Sequence, residues 1–256
     1  MTKDPDLLLS PERPNPARQI TRVKHEPRRR VLTVSAVEAL TPHMRRIHFS
    51  SPDMADFTSL SPDDHIKLFL PEGDGGEVKR DYTPRAFDTA AGVITIDFAL
   101  HEAGPATAWA VGAQPGDSLT IGGPRGSAII PDAFDWRMFI GDETALPAIG
   151  RQLEEARPGA RLITIACVDE AEDIQAIETH ADWTAEWLRR DLLGPDDEAN
   201  VRAALNRVFP KDGAGFVWIA GEARFAKALR AYVNEQLGQP IEWIKASGYW
   251  VRDPED

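Results

Sequence analysis

The chain has 256 residues, 42% of them hydrophobic and 27% charged, which suits one large core or two moderate ones and argues against disorder. Its formal net charge of −12 excludes a protein that tracks nucleic-acid phosphates, because such a partner needs a basic footprint. The one cysteine, Cys167, excludes a disulfide framework or a four-cysteine cluster, and no apolar run approaches the roughly 20 residues of a membrane span, so a cytoplasmic protein is expected.

The first 30 residues carry eight Lys/Arg against four Asp/Glu, and Pro5, Pro11, Pro14, Pro16 and Pro27 interrupt them. Residues 1–25 are therefore expected to be a solvated, flexible tail. From there to residue 132 the sequence reads as short strands between turns: RVLTVSAVEAL, MRRIHFSS, DHIKLFLP, RDYTPRAFD, VITIDFALH and SLTIGGP. Ile94, Ile96, Phe98 and Leu100 alternate onto one face. Six strands and one short helix from Pro105 to Ala113 predict a six-stranded antiparallel β-barrel over 26–132.

After Asp132 the period changes. WRMFIGD and RLITIACV are compact apolar strands flanking an amphipathic helix from Thr144 to about Ala156. TAEWLRR, FVWIAGE and IEWIKASGYW read as further strands, with helices over Asp196–Phe209 and Ala223–Gly238. That alternation predicts an α/β domain with a parallel sheet over 133–256, joined to the barrel near Ile130–Trp136.

Within this frame, several segments carry chemistry. Arg80 and Tyr82 stand two residues apart on one strand face, where a guanidinium can clamp a pyrophosphate beside an aromatic ring. Thr83 points the other way on a regular strand, so it reaches the same ligand only through its backbone or a bend before Pro84. The segment Asp97-Phe98-Ala99-Leu100-His101-Glu102-Ala103-Gly104-Pro105-Ala106-Thr107 runs from a strand into a helix start whose free N–H groups suit an anion. Gly122-Gly123-Pro124-Arg125-Gly126-Ser127 combines backbone access with a cation. Gly141-Asp142-Glu143-Thr144 and, later, Gly221-Glu222 each follow a buried strand, the arrangement that presents a nucleotide to strand C-termini. Neither GxGxxG nor GxxxxGK[ST] occurs.

In order, RDYT, DFALHEAGPATAW, GGPRGS, GDETALPAI, WIAGE and a terminal GYW resemble the siderophore-interacting protein family over residues 20–252. That family comprises FAD-dependent ferric-siderophore reductases among the ferredoxin-reductase-like flavoproteins. The resemblance implies an FAD-binding barrel and a C-terminal domain for NADPH or NADH. It implies that Arg80, Tyr82 and Thr83 hold FAD, with Asp97, Phe98, His101, Gly104, Pro105, Ala106 and Thr107 completing the flavin and phosphate contacts. Gly141, Asp142, Glu143, Thr144, Gly221 and Glu222 would line the nicotinamide nucleotide, and Trp250 would lie near the flavin. Lys67, Arg125, Lys245 and Arg252 would receive an anionic ferric siderophore.

A flavin suits that reaction because it takes a hydride from a nicotinamide and serves a one-electron acceptor. No acid–base dyad or protein-bound metal is expected, and the six histidines show no ligand spacing along the chain. A ferredoxin is an alternative electron donor. Another ferredoxin-reductase-like oxidoreductase and a non-enzymatic FAD-binding iron-chelate carrier are the competing functions.

Overall fold

The computed structural model describes residues 16–72, 75–100 and 104–252. Its first half runs β1 (Thr21–Lys24), β2 (Arg29–Thr41), β3 (Met44–Ser50), β4 (Ile66–Glu72), β5 (Gly76–Tyr82), β6 (Pro84–Asp88), β7 (Val93–Ala99), α1 (Pro105–Gly112), β8 (Ser118–Gly122) and β9 (Gly126–Ile129). Strands β2 to β8 form one curled antiparallel sheet in the order β5-β4-β8-β2-β3-β7-β6, while β1 and β9 pair as a separate ribbon. Alternation sets its inner face: Leu32 and Val34, Ile66, Leu68 and Leu70, and Ile94, Ile96 and Phe98 all point into one core with Leu119 and Ile121. Burying each such side chain contributes about 1.5–3 kcal/mol before conformational entropy is subtracted.

The sheet has seven strands, not the expected six. RDYTPRAFD reads as one strand, but the chain divides at Thr83 into β5 and β6, the two ends of the strand order. Pro84 lacks the N–H that would continue the ladder and biases the residue before it, so the chain breaks there. Part of the expected 1–25 tail takes regular structure, while residues 1–15 lie outside the described residues. Residues 21–24 form β1 against β9, and Arg18 donates to the Ala133 carbonyl at 3.0 Å. Proline content hid this strand because its partner lies a hundred residues downstream.

The second half contains β10 (Trp136–Gly141), α2 (Leu146–Glu154), β11 (Arg161–Val168), β12 (Asp182–Arg189), the single turn α3 (Arg190–Leu193), α4 (Asp197–Val208), β13 (Gly215–Glu222), α5 (Ala223–Glu235) and β14 (Ile244–Trp250). The strands form a five-stranded parallel sheet in the order β12-β11-β10-β13-β14. Asp196 caps α4 by accepting from the Ala199 N–H at 3.0 Å, and the Glu222 carboxylate caps α5 by accepting from Arg224 and Phe225. The chain leaves β10 toward β11 and β12, then returns to the other side of β10 as β13. The C-terminal ends of β10 and β13 therefore make a topological switch point, where open α/β sheets place ligands.

The two sheets are joined by polar groups as well as by a shared apolar cluster containing Met44, Ala99, Phe139 and Leu146. Trp218 donates to buried Asp63 at 2.9 Å, and Arg151 donates to the Ser59 hydroxyl and the Pro84 carbonyl, both at 3.0 Å. These contacts set the switch point of the parallel sheet opposite Thr83.

Candidate functional site

A cavity of about 760 Å³ opens between the halves, within the range of cofactor sites. Its barrel wall is made by the end of β5, the Thr83 break, the start of α1 and the β1–β9 ribbon. Its opposite wall is made by Thr144 and Pro147 near the start of α2 and by the end of β14.

On the barrel side, the break before Pro84 does what a regular strand would not. Arg80, Tyr82 and Thr83 all border the cavity. The Tyr82 ring leans on Phe98 at 4.7 Å between centroids, and burial pushes its phenol up to about 12 despite the nearby Arg80 charge. Thr83 is buried, and its side chain is hydrogen-bonded to Tyr249, whose own phenol is raised by burial and by Asp63. Pro105, Ala106 and Thr107 follow Gly104, the N-cap of α1, which has no side-chain cap bond. The first N–H groups of a helix lack intrahelical partners, so this end offers donors to an anion. Arg22, Lys24, Arg80 and Arg125 border the cavity with no carboxylate partner among the described residues. Cations, helix donors, a threonine hydroxyl and the rings of Tyr82 and Trp250 together fit a pyrophosphate-linked dinucleotide carrying a flat conjugated ring.

Not every expected residue belongs to that wall. Asp97 borders the cavity, but its carboxylate is paired bidentately with Arg46 at 2.7 and 2.8 Å. Phe98 is fully buried in the barrel, so it supports Tyr82 and meets no ligand. His101 lies outside the described residues.

The structure does not bring Gly141, Asp142, Glu143, Gly221 and Glu222 to the cavity wall. A Cβ at Gly141 would fall 2.4 Å from the Ala145 Cβ and 2.7 Å from the Ala220 carbonyl, so that glycine permits packing. Asp142 is 3% exposed, and its oxygens accept from Thr144, the Glu222 N–H and the Trp250 indole. Burial and the adjoining Asp142 push Glu143 up to about 7, against the pull of Arg190, which donates to it at 3.0 Å. Arg190 also binds Asp169 at 2.8 Å and Asp197 at 2.6 Å, and these partners hold its pKa above the ordinary value although burial opposes them.

Of the expected substrate cations, Arg125 borders the cavity. Lys245 does too, but its ammonium is paired with buried Asp63. Burial opposes ionisation of Asp63, yet Lys245, Trp218 and Ser61 together keep its pKa below the usual value. Lys67 is bound to Asp81 at 2.7 Å and lines a neighbouring groove of about 310 Å³ with Arg28, Arg29, Lys79 and Arg125. Arg252 sits 5.7 Å over the Trp250 ring.

Several wall residues were not anticipated. Arg22 and Lys24 arrive on the unexpected β1, while Asp63, Ser247 and Tyr249 come from the loop before β4 and from β14. Only Tyr249 carried a sequence signal, as part of GYW. The histidines also hold a surprise: one ligand atom each from His43, Glu170 and Asp173 lie within 4.8 Å of one another. His43 Nδ1 is 2.8 Å from Asp173, whose hydrogen bond raises the histidine's pKa. No helix among the described residues is long and apolar enough to cross a membrane.

The family model for the siderophore-interacting FAD-binding domain matches residues 33–79 and 72–128, and that for siderophore-interacting protein matches 134–253. The chain belongs to the siderophore-interacting protein family. It is 32% identical over 257 residues to the NADPH-dependent ferric-chelate reductase of Escherichia coli (strain K12), covering 92% of this chain and 98% of that protein. Among solved structures, a siderophore utilization protein from T. fusca superposes with a TM-score of 0.84 at 33% identity, over 92% of this chain and 97% of that one. The fold of the family is ferredoxin-reductase-like: the ferredoxin reductase in carbazole 1,9a-dioxygenase matches with a TM-score of 0.65 at 19% identity, over 88% of this chain and 70% of that one.

Proposed function

We propose that the protein is a ferric-siderophore reductase: FAD occupies the interdomain cavity, NADPH supplies electrons, and chelated iron(III) receives them. The observation that carries this reading is the convergence of the Arg80–Thr83 break, the α1 N-terminus and the end of β14 on one cavity beside the switch point. The ferric-chelate reductase of Escherichia coli supports the same reaction and favours NADPH over NADH. When bound, FAD takes two electrons together from a nicotinamide and passes them singly to an acceptor such as ferric iron.

The protein's own part is binding and alignment. Arg80, Arg22 and Lys24, with the Ala106 and Thr107 N–H groups, would neutralise and orient the pyrophosphate. The Thr83 hydroxyl, held by Tyr249, would meet the flavin from the barrel side, and Tyr82 and Trp250 would supply aromatic walls. The barrel over 26–132 is then the flavin domain and the α/β unit over 133–256 the nucleotide domain. The turn 141–144 with Gly221 and Glu222 shapes the nucleotide entry through the backbone, their side chains being engaged elsewhere. Arg125, free of a carboxylate partner among the described residues, receives the anionic siderophore at the cavity mouth. Iron enters as substrate, already chelated, and the reaction belongs in the cytoplasm with the nicotinamide supply.

Anaerobic mixing of the FAD-loaded protein tests this. NADPH is expected to bleach the flavin absorbance, and a ferric siderophore to restore it with formation of iron(II). Absorbance unchanged by NADPH and NADH alike overturns the nicotinamide step, and reduced ferredoxin then tests the other donor. Failure to bind FAD overturns the whole reading.

A further inference from the structure

The side chain of Asp142 joins three turns distant in sequence. One carboxylate oxygen accepts from the Thr144 N–H at 2.9 Å and from the Thr144 hydroxyl. The other accepts from the Glu222 N–H at 3.0 Å and from the Trp250 indole N–H at 2.8 Å. An ionised carboxylate has about four lone-pair sites and no donor, so four donors saturate it. Asp142 therefore has nothing left to offer a nucleotide.

Two features of the backbone make room for this arrangement. Gly221 has φ +149, and a Cβ there would stand 2.6 Å from the Asp142 oxygen that takes the indole. On β14, the register against β13 slips, pairing Gly221 with Gly248 but Glu222 with Trp250, so Tyr249 is the extra residue of a bulge. A bulge re-aims the side chains on either side of it. Tyr249 hydrogen-bonds Thr83, and Trp250 meets Asp142 while also lining the cavity.

We infer that Asp142 is the positioning residue for Trp250, fixing where the indole stands against the flavin cavity and tying that position to the turns after β10 and β13. The inference rests on the flavin reading for what lies beside the indole, but the bond itself does not. Asp142 acts through Trp250 and touches neither cofactor nor substrate. A charge-assisted bond at the indole N–H narrows the rotamers open to Trp250 at the end of β14, beyond what its other contacts impose.

Asp142→Asn is the informative change, because an amide keeps the shape but turns one pair of acceptor sites into donors facing donors. The protein is studied with FAD bound, beside Trp250→Phe, which identifies the indole N–H resonance by its loss. In Asp142→Asn, exchange protection of that indole N–H is expected to fall roughly tenfold, the equivalent of about 1.4 kcal/mol. Emission from bound FAD is expected to rise toward that of Trp250→Phe, because a neighbouring indole quenches flavin emission. If Trp250→Phe is brighter but Asp142→Asn matches the parent in both measurements, the positioning role is overturned and the flavin reading stands. If Trp250→Phe is no brighter, the indole does not adjoin the flavin and the inference fails, while FAD binding is judged separately by absorbance. Should Asp142→Asn not fold, the parent protein decides: an indole N–H that exchanges like an exposed one overturns the inference, and a protected one supports it.

Discussion

On the barrel wall, Arg22, Lys24, Arg80 and Arg125 reach the cavity without a carboxylate partner among the described residues. At the crest of the parallel sheet, charged groups are satisfied within the protein: Arg190 by Glu143, Asp169 and Asp197, and Asp142 by Thr144, the Glu222 backbone N–H and the Trp250 indole. Both regions carry motif-like sequence, yet one holds its polar groups in reserve while the other spends them on its own geometry. A charged motif residue is therefore read as a ligand contact only after its partners are known.

Substitution separates the two states. Arg190→Gln would leave three carboxylates beside a half-buried site without their cation. Discounted for partial exposure, that should destabilise the protein by about 2–3 kcal/mol. Chemical denaturation measures it, and the surviving folded fraction should bind NADPH nearly as before. A large loss of NADPH affinity with stability intact would make Arg190 a nucleotide ligand and erase the contrast. Arg80→Ala should do the reverse. Stability stays within about 0.5 kcal/mol, as for other exposed substitutions, whereas FAD dissociation rises ~10-fold or more for the loss of one charge-assisted contact. Titration of the FAD-free protein with FAD reads this directly, and unchanged affinity would remove Arg80 from the site.

The smallest effect is expected at the mouth. Arg125→Ala should raise the KM for an anionic ferric siderophore by a few-fold, about 0.5–1 kcal/mol, and the difference should shrink as salt is added. Lys245→Ala should instead lower stability, because it strips the partner from buried Asp63. A pure KM effect at Lys245 would show that its pairing with Asp63 yields to substrate.

What was legible in the sequence follows from the range of the forces involved. Alternation in VITIDFALH and the β-helix-β rhythm after Asp132 are local, and they foretold the two kinds of sheet. The break at Thr83 was half legible: Pro84 allows a bend there, yet RDYTPRAFD still reads as one continuous strand. Strand β1 was not, since its hydrogen bonds go to residues 126–129 and its own composition looks like a tail. The pairing of Lys245 with Asp63 and the saturation of Asp142 were equally hidden: each joins residues brought together only when the two sheets dock. GDETALPAI marked a turn that reaches the cavity through Thr144 and Pro147, but whether Asp142 faces a ligand or Trp250 is decided by the Gly221 conformation and the β14 bulge, neither of which has a linear signature.

The division of RDYTPRAFD at Thr83 has a consequence for the barrel as a mechanical object. In the sheet order, β5 pairs only with β4 and β6 only with β7, so the curled sheet has a seam, and Thr83 is the single covalent stitch across it. A dinucleotide bound at that stitch, as proposed, would contact both lips at once. Because a ligand that binds only the folded form adds its binding free energy to stability, the cofactor would then act as a clasp on the seam. The residues proposed to hold the flavin would thus also hold together the two strands that end the sheet order.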